Sequence, residues 1–195
     1  MPDDDLAALR AWRKEQRAAL VTARLALSAD EHQRASAAID RHLTTHFAVH
    51  PARNVGVYWP IRAEFDIRPL AERLRSAGTT ISLPVVIGKA NPLEFRIWDP
   101  AVPLAVGVFD IAYPPQGEPQ QPEVLIIPLL GFDAGAYRLG YGAGYYDRTL
   151  VLLAPKPRAI GVGFECGRLS TIRPQPYDVP MDLVVTEAGS FSVSS

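Results

Sequence analysis

Residues Glu123 to Arg148 read EVLIIPLLGFDAGAYRLGYGAGYYDR. The first eight are almost continuously apolar and rich in isoleucine, the pattern of a strand buried on both faces. The last four open a segment, YYDRTLVLLA, that reads as a helix. Between them Gly140, Gly142 and Gly144 alternate with larger residues. A buried strand, a glycine-rich turn and a helix in succession predict an α/β layer with its ligand side at the carboxyl end of that strand.

The flanking sequence extends the same alternation. Two amphipathic helices are expected first, at about Asp4 to Leu27 and at Ala29 to about His46, with Pro51 beyond the second. Leu6, Leu9, Trp12, Leu20 and Leu27 recur near helical spacing in the first, with basic residues between them. The start of the second, SADE at Ser28 to Glu31, has the form of a capping box. NVGVYWP, TTISLPVV, LEFRIWD, RAIGVGF and DLVVTE read as strands, and DIRPLAERLRSAG as a helix stopped by Gly78. Residues 100–122, rich in Pro and Gly, read as loops around a short extended piece. The expected fold is one α/β domain spanning residues 1–195, with a largely parallel central sheet flanked by helices in the open doubly wound manner.

Composition narrows the function classes. A chain of 195 residues with 48% hydrophobic and 21% charged residues suits a globular domain with a full core. Disorder is expected only at the ends, such as Gly189 to Ser195. A net charge of −1 argues against binding nucleic acid through bulk charge. Cys166 is the only cysteine, so no internal disulfide can form, and a cytoplasmic location is expected. MPDDDLAALRAWRK is too acidic and polar for a signal peptide, and no apolar run reaches membrane-spanning length.

The glycine segment carries the chemistry. Glycines permit positive φ and close approach of a ligand, and a helix starting near Gly144 offers free N–H groups to an anion. Arg138 and Arg148 flank the turn and can neutralise oxygen charge through forked hydrogen bonds, while Asp147 can serve Mg²⁺ beside phosphates. Neither the Walker pattern nor the dinucleotide fingerprint is present; Tyr145 stands where the latter needs its third glycine. On the residues alone two readings stand: a phosphate cradle, or a glycine turn with two core tyrosines. His42, His46 and His50 lie at steps of four but lack a carboxylate partner, and read as surface residues. Cys166 reads as structural.

The run PLLGFDAGAYRLGYGAGYYDR closely resembles the signature of the 5-formyltetrahydrofolate cyclo-ligase, or methenyltetrahydrofolate synthetase, family. VGVYWPIRAEFDIRPL, YDVPMDLVVTE and the basic first helix with ALSADEHQRAS resemble other family segments in the same order, so the resemblance spans nearly the whole chain. Two positions depart. The family usually has glycine where Ala136 stands, with Gly135 here one place earlier, and Gly or Lys is common at the position of Ala143.

The resemblance implies an ATP- and Mg²⁺-dependent ligase that converts 5-formyltetrahydrofolate into 5,10-methenyltetrahydrofolate. It implies phosphorylation of the formyl oxygen and ring closure by N10. Arg138, Leu139, Gly140, Tyr141, Gly142, Ala143, Gly144, Tyr145 and Tyr146 should line the ATP site, with Arg138 and Tyr145 catalytic. Tyr141 to Tyr145 should also approach the folate, together with Trp59 and Glu64. Asp147 and Asp178 correspond to the magnesium carboxylates, and Arg13 and Arg17 to the basic ATP-binding pair, with Arg10 and Lys14 as the alternative register. The expected partners are folate and ATP, with no nucleic acid or membrane, and the expected state is a monomer or weak homodimer. The alternative is a non-catalytic folate- or nucleotide-binding module on the same scaffold.

Overall fold

The computed structural model describes residues 3–192. In chain order its elements are α1 (Asp3–Leu25), α2 (Ala29–Val49), β1 (Asn54–Gly56), α3 (Arg68–Ser76), β2 (Thr80–Val86) and β3 (Leu93–Ile97). The short strands β4 (Ala105–Val106), β5 (Ala112–Tyr113) and β6 (Pro119–Gln120) follow. Then come β7 (Val124–Pro128), β8 (Gly131–Phe132), β9 (Arg138–Leu139) and α4 (Tyr145–Leu152). The last strands are β10 (Arg158–Val162), β11 (Leu183–Thr186) and β12 (Gly189–Phe191).

The main sheet has the order β12-β11-β10-β7-β1-β2-β3-β6. Its five central strands, β11, β10, β7, β1 and β2, run parallel. β3, β6 and β12 add antiparallel edges. The sheet is thus largely parallel as expected. Alternate residues of β7 feed opposite faces, as a strand buried on both sides requires. Val124 and Ile126 join Ile39, Leu43 and Phe47 of α2 and Leu70 of α3 on one face. Leu125 and Ile127 join Leu150 of α4 with Phe132 and Met181 on the other.

Local signals explain the helix ends. Ser28 Oγ accepts from Glu31 N, and Glu31 Oε2 accepts from Ser28 N, completing the capping box at α2. α2 runs on past His46 to Val49, and Pro51 lies beyond. NVGVYWP contributes only three residues to the ladder, because Tyr58 to Pro60 leave the sheet at its carboxyl edge. The tail differs from its expectation: Gly189–Phe191 pairs antiparallel with β11, and only residues 193–195 lie outside the described chain.

α1 departs from the usual amphipathic design. Its buried positions are Leu9, Arg13, Leu20 and Arg24, a helical stripe in which two of the four are arginines. Leu20 packs with Leu130, Leu139 and Ile172. The guanidinium groups reach the loops after β1, the loop after β9 and the segment before β11. The helix therefore lies across the edge where the parallel strands end.

Leu125 is fully buried at the centre of β7. Leu125→Ala should lower unfolding free energy by about 2–5 kcal/mol, with the urea m-value unchanged. A loss below half a kcal/mol would contradict this placement of the core.

Candidate active site

A cleft of about 1340 Å³ opens at the carboxyl edge of the sheet. That exceeds the ~300–1,000 Å³ of a single small-ligand pocket, so it has room for two ligands side by side. One wall is the glycine turn. Another is apolar, from Pro84, Val85, Ile87 and Leu93. Trp59 and Glu64 line it from the loop after β1, and Val108 and Phe109 from the β4–β5 hairpin.

The turn is built as its residues demand. β8 and β9 form a two-stranded ribbon that delivers Arg138 to the cleft. The buried carboxylate of Asp133 closes the ribbon, accepting from the N–H groups of Gly135, Tyr137 and Ile172. Ala136 sits in this bend, fully buried, with φ 58°. The left-handed conformation that suits glycine is thus held at Ala136 rather than at Gly135. Gly142 has φ 99° and Gly144 has φ 67°, the latter capping α4.

Arginines surround this bend. Arg17 Nε donates to Gly140 O at 2.7 Å, and Arg148 Nη2 donates to Ala143 O at 2.8 Å. A Cβ on Gly142 would lie 3.2 Å from Arg17 Cζ, and one on Gly140 would collide with the Arg138 guanidinium. Burial and the neighbouring Arg13 lower the pKa of Arg17, opposed by Asp178. Arg138 donates from Nη2 to Asp147 Oδ2 at 2.8 Å, and its Nε is buried without an acceptor. Its guanidinium lies 5.3 Å from the ring centroid of Tyr146, whose own pKa is pushed up by burial. Tyr145 lines the cleft at the first position of α4, beneath the Arg148 guanidinium at 5.1 Å.

The two carboxylates expected for magnesium occupy different settings. Asp147 lines the cleft, with Oδ1 accepting from Val179 N at 3.3 Å. Asp178 is paired with Arg13, Nη2 to Oδ2 at 2.5 Å, and also accepts from Gln175 N at 2.7 Å. Arg13 further donates to the carbonyls of Ile172 and Arg173. The donor set fits a magnesium shared with phosphate at Asp147, whose carboxylate retains free lone pairs. Asp178, as placed, acts first on Arg13. Among the described residues no three His, Cys, Asp or Glu side chains gather as a metal site. Of the two registers on α1, Arg13 and Arg17 are the pair bonded into the site; Arg10 lines the cleft, and Lys14 is exposed outside it.

Trp59 meets Trp98 edge-on at 6.0 Å, and Arg68 lies over its ring at 5.1 Å. Glu64 is buried; Oε2 accepts from Ile61 N at 2.9 Å and Oε1 from the Tyr141 hydroxyl at 3.0 Å. Burial pushes the Glu64 carboxyl above its ordinary value, while the Ile61 N–H and the Arg24 charge pull the other way. Tyr141 is pushed up to about 12 by burial of its hydroxyl and by the Glu64 charge. Sequence reasoning missed Arg24, although it extends the Arg13–Arg17 stripe by two turns.

A family model described as the 5-formyltetrahydrofolate cyclo-ligase family matches residues 9–187. The chain belongs to this family. It is therefore an enzyme of the cyclo-ligase type. The Escherichia coli K12 5-formyltetrahydrofolate cyclo-ligase is 31% identical over 170 residues, covering 84% of this chain and 93% of that protein. The Mycolicibacterium smegmatis cyclo-ligase is 32% identical over 145 residues, covering 69% and 73%. The solution structure of Aquifex aeolicus 5,10-methenyltetrahydrofolate synthetase superposes with a TM-score of 0.80 at 29% identity, covering 92% of each chain. The Mycoplasma pneumoniae synthetase structure gives 0.73 at 25% identity, covering 90% of this chain and 98% of that one. No helix among the described residues is long and apolar enough to cross a membrane.

Folding raises the Glu64 pKa, so the folded state holds that proton more tightly than the unfolded chain does. The associated stability is complete below the ordinary value of 4.5 and is lost as pH rises through the raised folded value. Glu64→Gln removes this titration. The stability of the parent relative to Glu64→Gln should therefore fall as pH is raised from below 4.5 towards neutrality. Parallel urea-melt profiles across that range would refute it.

Proposed function

We propose that the chain converts 5-formyltetrahydrofolate into 5,10-methenyltetrahydrofolate at the expense of ATP, releasing ADP and phosphate, with Mg²⁺ assisting. The observation that carries this reading is Arg138. Its guanidinium lies against the glycine turn, holds Asp147, and keeps a buried Nε donor without an acceptor. A buried charged donor without a partner is costly, and a phosphate oxygen is the acceptor that a glycine turn admits.

In this reading the formyl oxygen is phosphorylated by the γ-phosphoryl group, leaving ADP. N10 then attacks the formyl carbon and gives up its proton, and phosphate departs with the former formyl oxygen and takes up that proton as the ring closes. The protein's share is positioning and neutralisation of oxygen charge, as in phosphoryl transfers generally. Arg17, Arg138 and the N–H groups at the start of α4 hold the nucleotide, with Tyr146 behind Arg138. Arg13, aligned by Asp178, adds charge at the same edge. Arg148 supplies a cation beside Ala143, where family members can carry lysine. Magnesium bound through Asp147 supplies further charge neutralisation on the phosphates. Trp59 and the apolar wall receive the pterin, and Glu64 accepts from its N–H groups. Tyr145 lies at the junction of the two ligands. The chain is expected to work in the cytoplasm, where its single cysteine stays reduced.

Protein mixed with Mg²⁺, ATP and 5-formyltetrahydrofolate should produce methenyl absorbance and equimolar ADP. Ligand binding without product would leave only a binding module. Arg138→Lys keeps the charge but loses the planar fork, and kcat/KM should fall roughly 10²–10³-fold. Asp147→Asn should raise the magnesium concentration needed for half-maximal rate. An unchanged magnesium dependence would remove Asp147 from the metal role.

A further inference from the structure

Arg24 connects two parts of the cleft that are far apart in sequence. Its Nε donates to Arg62 O at 3.0 Å, and its Nη2 donates to the Tyr141 hydroxyl at 2.6 Å. One buried guanidinium thus ties the loop after β1 to the glycine turn. The direction of the next bond follows from chemistry. A guanidinium can only donate, so the Tyr141 oxygen accepts from Arg24, and its proton goes to Glu64 Oε1 at 3.0 Å. Glu64 Oε2 is occupied by Ile61 N at 2.9 Å. Each carboxylate oxygen has one bond from the protein and keeps lone pairs for a ligand. Arg24, Arg62, Tyr58, Tyr141 and Tyr146 are the charged and titratable groups around it.

The backbone on either side of this relay is unusual. Arg62 and Ala63 have φ 47° and 55°, so the turn presenting Glu64 is held in the left-handed region by its surroundings. The carbonyl of Arg62, inside that turn, is one of the two acceptors of Arg24. Tyr141 stands between Gly140, whose carbonyl takes Arg17, and Gly142 at φ 99°. The segment carrying the tyrosine is thus held through Gly140 and the Tyr141 hydroxyl, while Gly142 beyond it has no side chain to pack.

We infer that Arg24 and Tyr141 are positioning residues that couple the nucleotide cradle to the folate acceptor Glu64, so that a filled cradle tightens folate binding. The inference rests on the reading of this cleft as a nucleotide and folate site. Phosphate oxygens settle the glycine turn in one arrangement. The existing bond from the Tyr141 hydroxyl to Glu64 is then held more firmly, and part of the ordering cost of the acceptor is met before folate arrives. By linkage, folate must tighten nucleotide binding by the same factor.

Calorimetric titrations of 5-formyltetrahydrofolate, with and without a non-hydrolysable ATP analogue plus Mg²⁺, test this. In the parent the analogue should tighten folate binding about tenfold, within the usual range of site coupling. Tyr141→Phe keeps the ring and removes the hydroxyl; it should bring the factor to within about twofold of unity. Adding Tyr141→Phe to Glu64→Gln should cause no further loss of coupling. Arg24→Lys cannot serve both acceptors with fork geometry, and it carries the same test if Tyr141→Phe does not fold cooperatively. Full coupling retained in these variants overturns the inference. A parent that binds both ligands independently overturns it while leaving the site reading intact. A parent that binds neither overturns both.

Discussion

A turn without side chains can be shaped only from outside. Gly140, Gly142 and Gly144 contribute backbone and no packing atoms, so their arrangement is imposed by groups reaching in from other elements. Arg17 holds the carbonyl of Gly140, Arg148 holds that of Ala143, and Arg138 fills the space a Cβ at Gly140 would take. These cations do not follow from net charge, which is −1 for the chain. They follow from convergence: α1, β9 and α4 each aim an arginine at one bend, which concentrates positive charge that the net charge conceals.

Buried arginines are costly, and the fold offsets that cost with specific partners. Arg13 has a carboxylate and two carbonyls; Arg24 has a carbonyl and a phenol. All of these partners lie on loops at the carboxyl edge of the sheet. The contact that docks α1 is therefore the contact that organises the cleft. Leu20, packed with Leu130, Leu139 and Ile172, supplies the apolar anchor that keeps the helix in register. Function and folding share one interface here. A substitution on the inner stripe of α1 disturbs both, whereas one at exposed Lys14 meets neither.

The centre of the sheet was legible because periodicity reports it directly. β7 is apolar at nearly every position, and a strand between two layers has no other way to read. The capping box at Ser28 and the glycine cap of α4 were legible for the same local reason. The edges were not. Whether β3 runs parallel or antiparallel to β2 is decided by the connection between them, which spans only Ile87 to Pro92. So short a link cannot hold a crossover helix. The tail is expected to be disordered as a chain end, yet β11 offers it an open edge and three residues take it.

Within the cleft, the wall made by the glycine turn was more readable than the wall made by the loop after β1. Arg138 and Asp147 stand nine residues apart in one motif, so their ion pair lies within a single stretch of chain. Glu64, Tyr141 and Arg24 meet across separations of 77 and 117 residues, and no local spacing encodes such a meeting. Arg24 was hidden by a sound rule as well, since a basic residue on an amphipathic helix ordinarily faces water. Its position relative to Leu20, four residues earlier on the same stripe, held the missing signal. A guanidinium in line with core leucines must have acceptors waiting inside, and those acceptors mark where a polar ligand can be received.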